Sequence, residues 1–284
     1  MEEDKAKEDI LKQCRLCPRK CGVNRYRETG FCGVGTELKI ARAALHYMEE
    51  PCISGKTGSG TVFFSGCNLK CCYCQNYTIS YENFGKTVSV ERLAEIFLEL
   101  QEKGANNINL VTAVMYVPQI LKSLDRYVDI YLADIKYFSD EPALKYSAAP
   151  SYFYYAFTAV NEMIRQRGKP EFYEEKVFDD SEAILKSGVI IRHLVIPGAR
   201  QDSIKILNEL AKRFEKEEYI LSLMSQFTPH FKCREYKEIN RTITSFEYDS
   251  VVKEALRLGL DNTYIQNRTS AKEEYTPLFN LEGC

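Results

Sequence analysis

No stretch of this chain approaches the ~20 consecutive apolar residues that a membrane-spanning helix needs. The N-terminus, MEEDKAKEDILKQ, lacks the positive lead and apolar run of a secretory signal and reads instead as a charged, helix-prone lead over residues 1–13. An excess of one charge is also missing. Thirty-eight Lys and Arg against 40 Asp and Glu leave a net charge of -2, which argues against a nucleic-acid or anionic-membrane partner. There are no internal repeats and no low-complexity tracts. The expectation is a cytoplasmic chain with neither nucleic acid nor membrane as partner.

What is present is a chain of 284 residues with 45% hydrophobic content, enough for one large α/β domain with a small appendage. Eleven cysteines are unevenly placed. Nine lie within the first 74 residues, and only Cys233 and Cys284 lie beyond. A reducing compartment does not sustain a disulfide framework, so the concentration points to metal or cluster chemistry near the N-terminus.

Residues 14–60 are Gly- and Cys-rich and poorly periodic, as in a small metal-stapled lobe. From residue 61 strands alternate with helices. TVFF (61–64), NNINLVT (106–112), VDIYLADIKY (128–137), GVIIRHLVIPG (188–198) and YILSLMS (219–225) read as strands, followed by a short TYIQ. SVERLAEIFLELQEKG reads as a helix with Leu93, Ile96, Phe97 and Leu100 on one face, Ser89 at its start and Gly104 at its end. Further helices are expected over VPQILKSLDRY (117–127), from Tyr152 to Gln166, around DSIKILNELAKRFEKE, and over SFEYDSVVKEALRLGL. About six βα units predict an α/β fold built as a partial (β/α)6 TIM-like barrel (residues 59–284) behind an N-terminal Cys-rich metal-binding lobe (residues 1–58). In such barrels chemistry sits at the carboxyl ends of strands, which is where Thr112, Asp134, Lys136, Gln226 and a dense cysteine loop fall.

That loop, FFSGCNLKCCYCQNY, places Cys67, Cys71 and Cys74 at C-x3-C-x2-C, with Cys72 extra and read as a packed thiol. Three thiolates can hold three corners of a cubane [4Fe–4S] cluster and leave the fourth iron open to a small molecule. Structural metal sites close all their positions, so a vacancy argues for catalysis. The competing reading is zinc or an electron-transfer cluster with some other residue as fourth ligand.

The spacing, with Tyr73 just before the last cysteine, resembles the radical S-adenosylmethionine (SAM) superfamily. The segments CRLCPRKC, EEPCISG, GSGTVFFSGCNLKCCYCQN, DIKY, RHLVIPG and LMSQFTP are similar to its branch related to pyruvate formate-lyase activating enzyme, over nearly the whole chain. The resemblance implies an oxidoreductase handled anaerobically, in which a reduced cluster cleaves SAM to a 5'-deoxyadenosyl radical that abstracts hydrogen. It also implies a low-potential electron donor of flavodoxin or ferredoxin type. By the same resemblance Tyr73 lies near the adenine, and Asp134 and Lys136 lie near the SAM carboxylate beside a cation site. Arg192 and Asn76 attend the same cofactor, and Gln226 the ribose or adenine. The usual Gly-Gly-Glu segment after the second strand is absent. NLVTAVMY stands there, with Val114 and Met115 in place of a polar pair, which leaves Asn109 and Thr112 to offer oxygens to the methionine amino group.

Cys14, Cys17, Cys21 and Cys32 form C-x2-C-x3-C-x10-C among several glycines, fit for a structural zinc or an auxiliary [4Fe–4S] cluster, with an unmetallated lobe as the third reading. In HYMEEPC, His46, Glu49 and Glu50 stand at helical spacing with Cys52 beyond; acid/base or ligand roles are one reading, and a surface face with one buried thiol is the preferred one. His193 reads as an interlayer histidine and the Tyr/Phe run at 152–157 as core. Three functions stand open: hydrogen abstraction from a glycine of a partner glycyl radical enzyme, radical chemistry on another peptide or small metabolite, and a non-catalytic iron–sulfur or zinc adaptor.

Overall fold

Strand β2 (Ser59–Phe64) is buried at all six positions, as a strand covered on both faces must be. The computed structural model describes residues 10–118, 120, 128–173, 183–266 and 277–284. On one side β2 runs antiparallel to β1 (Leu38–His46), with Ala43 opposite Val62, and β1 also pairs with β3 (Lys86–Val88). On its other side β2 runs parallel to β4 (Ile108–Val111), with Phe63 opposite Val111. Between β3 and β4 lies a helix at Val90–Glu102. Its buried residues are Leu93, Ile96, Phe97 and Leu100, and Ser89 caps it by accepting from the Arg92 N–H at 3.1 Å. That face packs on Val62 and Phe64.

A second sheet holds β5 (Ile130–Asp134), β7 (Leu185–Leu194), β8 (Ile220–Met224) and β9 (Thr263–Ile265), all parallel, with β6 (Glu171–Phe172) antiparallel on β7. The register aligns Asp134, Arg192, Ser222 and Tyr264 across four strands. Alternate residues face opposite ways. Ala133, Val189, Ile191, Leu221 and Leu223 join the core shared with the helices Tyr152–Arg167, Arg200–Arg213 and Ser245–Arg257. Ile130, Leu132, Ile190, Ile220 and Tyr264 face the other way and pack on Cys52 and Ile53. The parallel strands therefore lie in two sheets, and among the described residues no ladder joins β4 to β5 and no closed barrel forms. No helix among them is long and apolar enough to cross a membrane.

Three differences from the sequence reading matter for the site. The stretch read as poorly periodic contains β1, nine residues long, because its buried positions are interrupted by a register shift between Ile40 and Arg42 that breaks the period of two. A short helix, Asp140–Ser147, was not expected, and its last residue reaches the cysteine loop. Residues 277–284 lie along β1, with Leu281 N–H on Ala41 O at 3.1 Å and Ala43 N–H on Glu282 O at 2.7 Å. Most of the helix expected over 117–127 and residues 1–9 of the expected lead lie outside the described residues.

Candidate active site

The cysteine loop begins where β2 stops. Gly66 turns the chain at φ +84°, and a Cβ there would stand 2.3 Å from Val34 and 2.9 Å from the Cys32 carbonyl, so no other residue fits. The loop is pinned by backbone bonds to distant segments: Cys67 N–H to Cys32 O at 3.3 Å, Lys70 N–H to Ser147 O at 3.1 Å, and Cys72 N–H to Tyr146 O at 2.8 Å. Each of the three candidate ligands has a polar neighbour at sulfur. Leu69 N–H donates to Cys67 Sγ at 3.4 Å, Ser147 Oγ donates to Cys71 Sγ at 3.0 Å, and Ser80 Oγ lies 3.2 Å from Cys74 Sγ. Burial pushes all three thiols up, Cys71 to about 12, while the Lys136 ammonium pulls them back.

These thiols lie close enough to repel one another as thiolates. Among the described residues no three His, Cys, Asp or Glu side chains converge as ligands of one ion do. Cysteines of a cubane bind separate irons and need not converge on a point. A loop of three soft donors with hydrogen bonds aimed at sulfur fits such a cluster, and a metal is what would hold these buried sulfurs deprotonated.

Beside the loop lies a charged network at the carboxyl ends of β5 and β7. Lys136 Nζ donates to Asp134 Oδ2 at 2.7 Å, and Arg192 Nε donates to Asp134 Oδ1 at 2.8 Å. Burial works against the Asp134 charge, but the Arg192 guanidinium and Lys136 outweigh it and hold the carboxyl well below its usual range. For Lys136 burial is likewise outweighed, by Asp134, and the ammonium is held above its ordinary value. Tyr152 supports the pair from the helix side: its hydroxyl donates to Asp134 O at 2.7 Å and accepts from Lys136 N–H at 3.1 Å.

The remaining expected residues are placed less uniformly. Tyr73 is buried, packs on Phe227 and shares a hydrogen bond with the Tyr137 hydroxyl, which continues to Ser147 and Cys71, so its ring is committed to the core. Asn76 stands just before the short helical turn Tyr77–Ser80, its carbonyl accepting from Ile79 N–H at 3.2 Å and Ser80 N–H at 3.0 Å. Asn109 stands opposite Thr61, and Thr112 takes the left-handed conformation, φ +62°, immediately after β4. Gln226 pairs with Gln266, whose Nε2 donates to it at 2.8 Å. Met115 and Tyr116 are buried, and the Tyr116 hydroxyl bonds Ser65 O at 2.9 Å, so the end of the segment standing for Gly-Gly-Glu is core, whereas residues 109–113 are half-buried and Val114 is exposed. His193 is the satisfied interlayer residue expected, with Nδ1 at 2.7 Å from Ile135 O and Nε2 at 2.8 Å from Ser203 Oγ.

Of the N-terminal cysteines, Cys21 and Cys32 flank Gly30 and Cys14 is buried, but the four do not form a converged single-ion site. Their lobe touches the cysteine loop through Arg19, whose Nε donates to Asn68 O at 2.9 Å and whose guanidinium lies over Phe31.

Sequence reasoning misplaced Glu49 and Glu50. They are not a surface face: Arg192 NH1 donates to Glu49 Oε2 at 3.1 Å and lies 3.8 Å from Glu50 Oε2, and Glu50 is 8% exposed. Their helical spacing from His46 misleads, since His46 ends β1 and the two acids sit on the irregular turn that follows it. Ser147 and Tyr152 were missed because each acts through a contact distant in sequence, and Ser80, six residues from Cys74, because no local pattern marks a serine as a thiol's partner.

A sequence model of the Radical SAM superfamily matches residues 61–267. An uncharacterized protein of Methanocaldococcus jannaschii is 28% identical over 291 residues, an alignment that takes in 90% of this chain and 78% of the relative.

Proposed function

This chain belongs to the radical SAM superfamily, and from that premise we propose that Cys67, Cys71 and Cys74 hold its [4Fe–4S] cluster and that SAM binds between this loop and the Asp134–Lys136–Arg192 network. Membership implies the cluster, SAM and reductive cleavage of SAM. When bound, the cluster supplies the electron for that cleavage, and the resulting deoxyadenosyl radical takes hydrogen from substrate. The chain's own part is positional. Ser147, Ser80 and the Leu69 N–H steady the thiolates, and Lys136 favours their charge. Arg192 and Lys136 offer the planar and point-charge donors that suit an amino acid carboxylate. The buried loop and the inner face of the second sheet keep water from the reacting centre.

The observation that carries this reading is the placement of Lys136, which bonds Asp134 and also acts on all three thiols of the loop. For the substrate we propose a peptide or protein C–H, with a glycine Cα–H of a partner enzyme as the first candidate. In this reading the two sheets form a partial (β/α)6 barrel of the activating-enzyme branch, a low-potential electron donor reduces the cluster, and residues 1–58 form a lobe able to take a second metal at Cys14, Cys17, Cys21 and Cys32. Anaerobic reconstitution with iron and sulfide, then dithionite and SAM, tests the core of it. Methionine and 5'-deoxyadenosine are expected, and protein that gains iron but releases neither would rule the reading out.

A further inference from the structure

Lys136, Lys70 and Arg19 each act on thiols of the cysteine loop. The first two have acceptors of their own. Lys136 is bonded to Asp134, and Lys70 Nζ donates to Ser80 O at 3.2 Å. Arg19 differs. Its Nε donates to Asn68 O at 2.9 Å, one residue past Cys67, and its guanidinium carbon lies 3.9 Å from the centre of the Phe31 ring. Its NH2 nitrogen is buried with no acceptor, and no carboxylate is paired with it among the described residues. Burial works against this charge, and what favours it is attraction to Cys17, Cys67 and Cys71 as thiolates.

The backbone presents Arg19 at the tip of a tight turn. Lys20 N–H bonds Cys17 O at 3.0 Å, Pro18 takes the turn's second position, and Lys20 adopts the left-handed conformation at φ +43°. A clasp between the N-terminal lobe and the loop needs only the Nε bond and the ring contact. Further N–H groups buried without an acceptor are a stability liability. The missing acceptor must suit a cation and lie beside Cys67 and Cys71. Sulfur of a [4Fe–4S] cluster meets both conditions. Three thiolates leave such a cluster anionic in both oxidation states, and hydrogen bonds to its sulfurs, together with nearby charge, set its reduction potential. On the cluster reading above, on which this step rests, we infer that Arg19 donates through its NH2 group to a sulfur of the loop's cluster. The N-terminal lobe thereby raises the potential at which that cluster accepts its electron.

The test is an anaerobic redox titration of reconstituted full-length protein, followed by electron paramagnetic resonance on the signal that SAM perturbs. That criterion separates the loop's cluster from any second cluster at Cys14, Cys17, Cys21 and Cys32. Arg19→Gln removes the charge and is expected to cut the reduced-to-oxidised ratio at a fixed potential about tenfold, a downward shift of about 59 mV. Arg19→Lys keeps the charge and is expected to recover most of that loss. Wild type grown on guanidino-15N arginine is expected to show a nitrogen coupling to the reduced cluster that Arg19→Lys lacks. A wild-type potential in Arg19→Gln overturns the inference, since a clasp, or a bond to water, leaves the cluster unaffected. So does failure of both variants to load a cluster, which would make Arg19 a support for the loop's shape. A wild type without the nitrogen coupling overturns it whichever variants load. If wild type yields no reducible cluster that SAM perturbs, the cluster reading itself has failed, and the wild-type titration alone reveals it.

Discussion

Cys71 and Cys72 are neighbours in the chain with unrelated surroundings. Cys71 Sγ accepts from Ser147, whereas the Cys72 thiol meets the thiol of Cys233. Cys71→Ala is therefore expected to abolish cluster loading and SAM cleavage, while Cys72→Ala keeps more than about half of both; iron and sulfide content with 5'-deoxyadenosine yield measure the contrast. Asp134 carries the opposite kind of dependence, since it alone is bonded to both Lys136 and Arg192. Asp134→Asn keeps the shape but takes the charged partner from Lys136 and leaves Arg192 to Glu49, and is expected to cost ~2 kcal/mol of stability and about tenfold or more in SAM affinity, read by denaturant unfolding and calorimetry. At this scale the motif thiols, Asp134, Lys136 and Arg192 were legible because they follow a local pattern. Glu49 and Glu50 were not, because two acids on an irregular turn show no sign of which face of the fold they will meet.

Among the elements, the helix Val90–Glu102 matched its sequence reading down to cap and buried face, because spacing, cap and terminating glycine all agree there. The helix Ser245–Arg257 was also readable, but its anchoring was not. Glu247 completes a capping box with Thr244, takes two bonds from Arg241 and accepts from the Gly198 N–H at 2.7 Å, tying the helix to the turn after β7. The Arg241 guanidinium, against a smaller effect of burial, holds the Glu247 carboxyl well below its usual range. A depressed folded value means stability that is present above the unfolded value, about 4.3, and is lost as pH falls toward the folded one. Glu247→Gln is thus expected to cost ~2 kcal/mol at pH 7, with the gap from wild type closing progressively below about pH 4, in urea titrations across that range.

Over the whole molecule, the N-terminal stretch is not an appendage hung on a finished core. Arg25 is 3% exposed and spends its guanidinium on backbone carbonyls, Nε on Gly35 at 2.7 Å and NH1 on Met115 at 2.7 Å, joining that stretch to the turn after β4. Arg25→Met is expected to cost ~3 kcal/mol, to speed proteolysis within residues 10–37, and to lower cluster retention, because the Cys32 carbonyl that holds Cys67 N–H belongs to the loosened segment. The sequence by itself determined the alternation of strands and helices, the three-thiol loop at the end of a buried strand, and the family chemistry, since each is written in spacings of a few residues. Only the tertiary structure decided that β1 completes the first sheet, that Met115 and Tyr116 belong to the core, and that Glu49 and Glu50 meet Arg192 143 and 142 positions away. The reason is physical: hydrophobic period and capping act within a turn or a strand, whereas charge pairing in a buried interior depends on which segments the chain brings together.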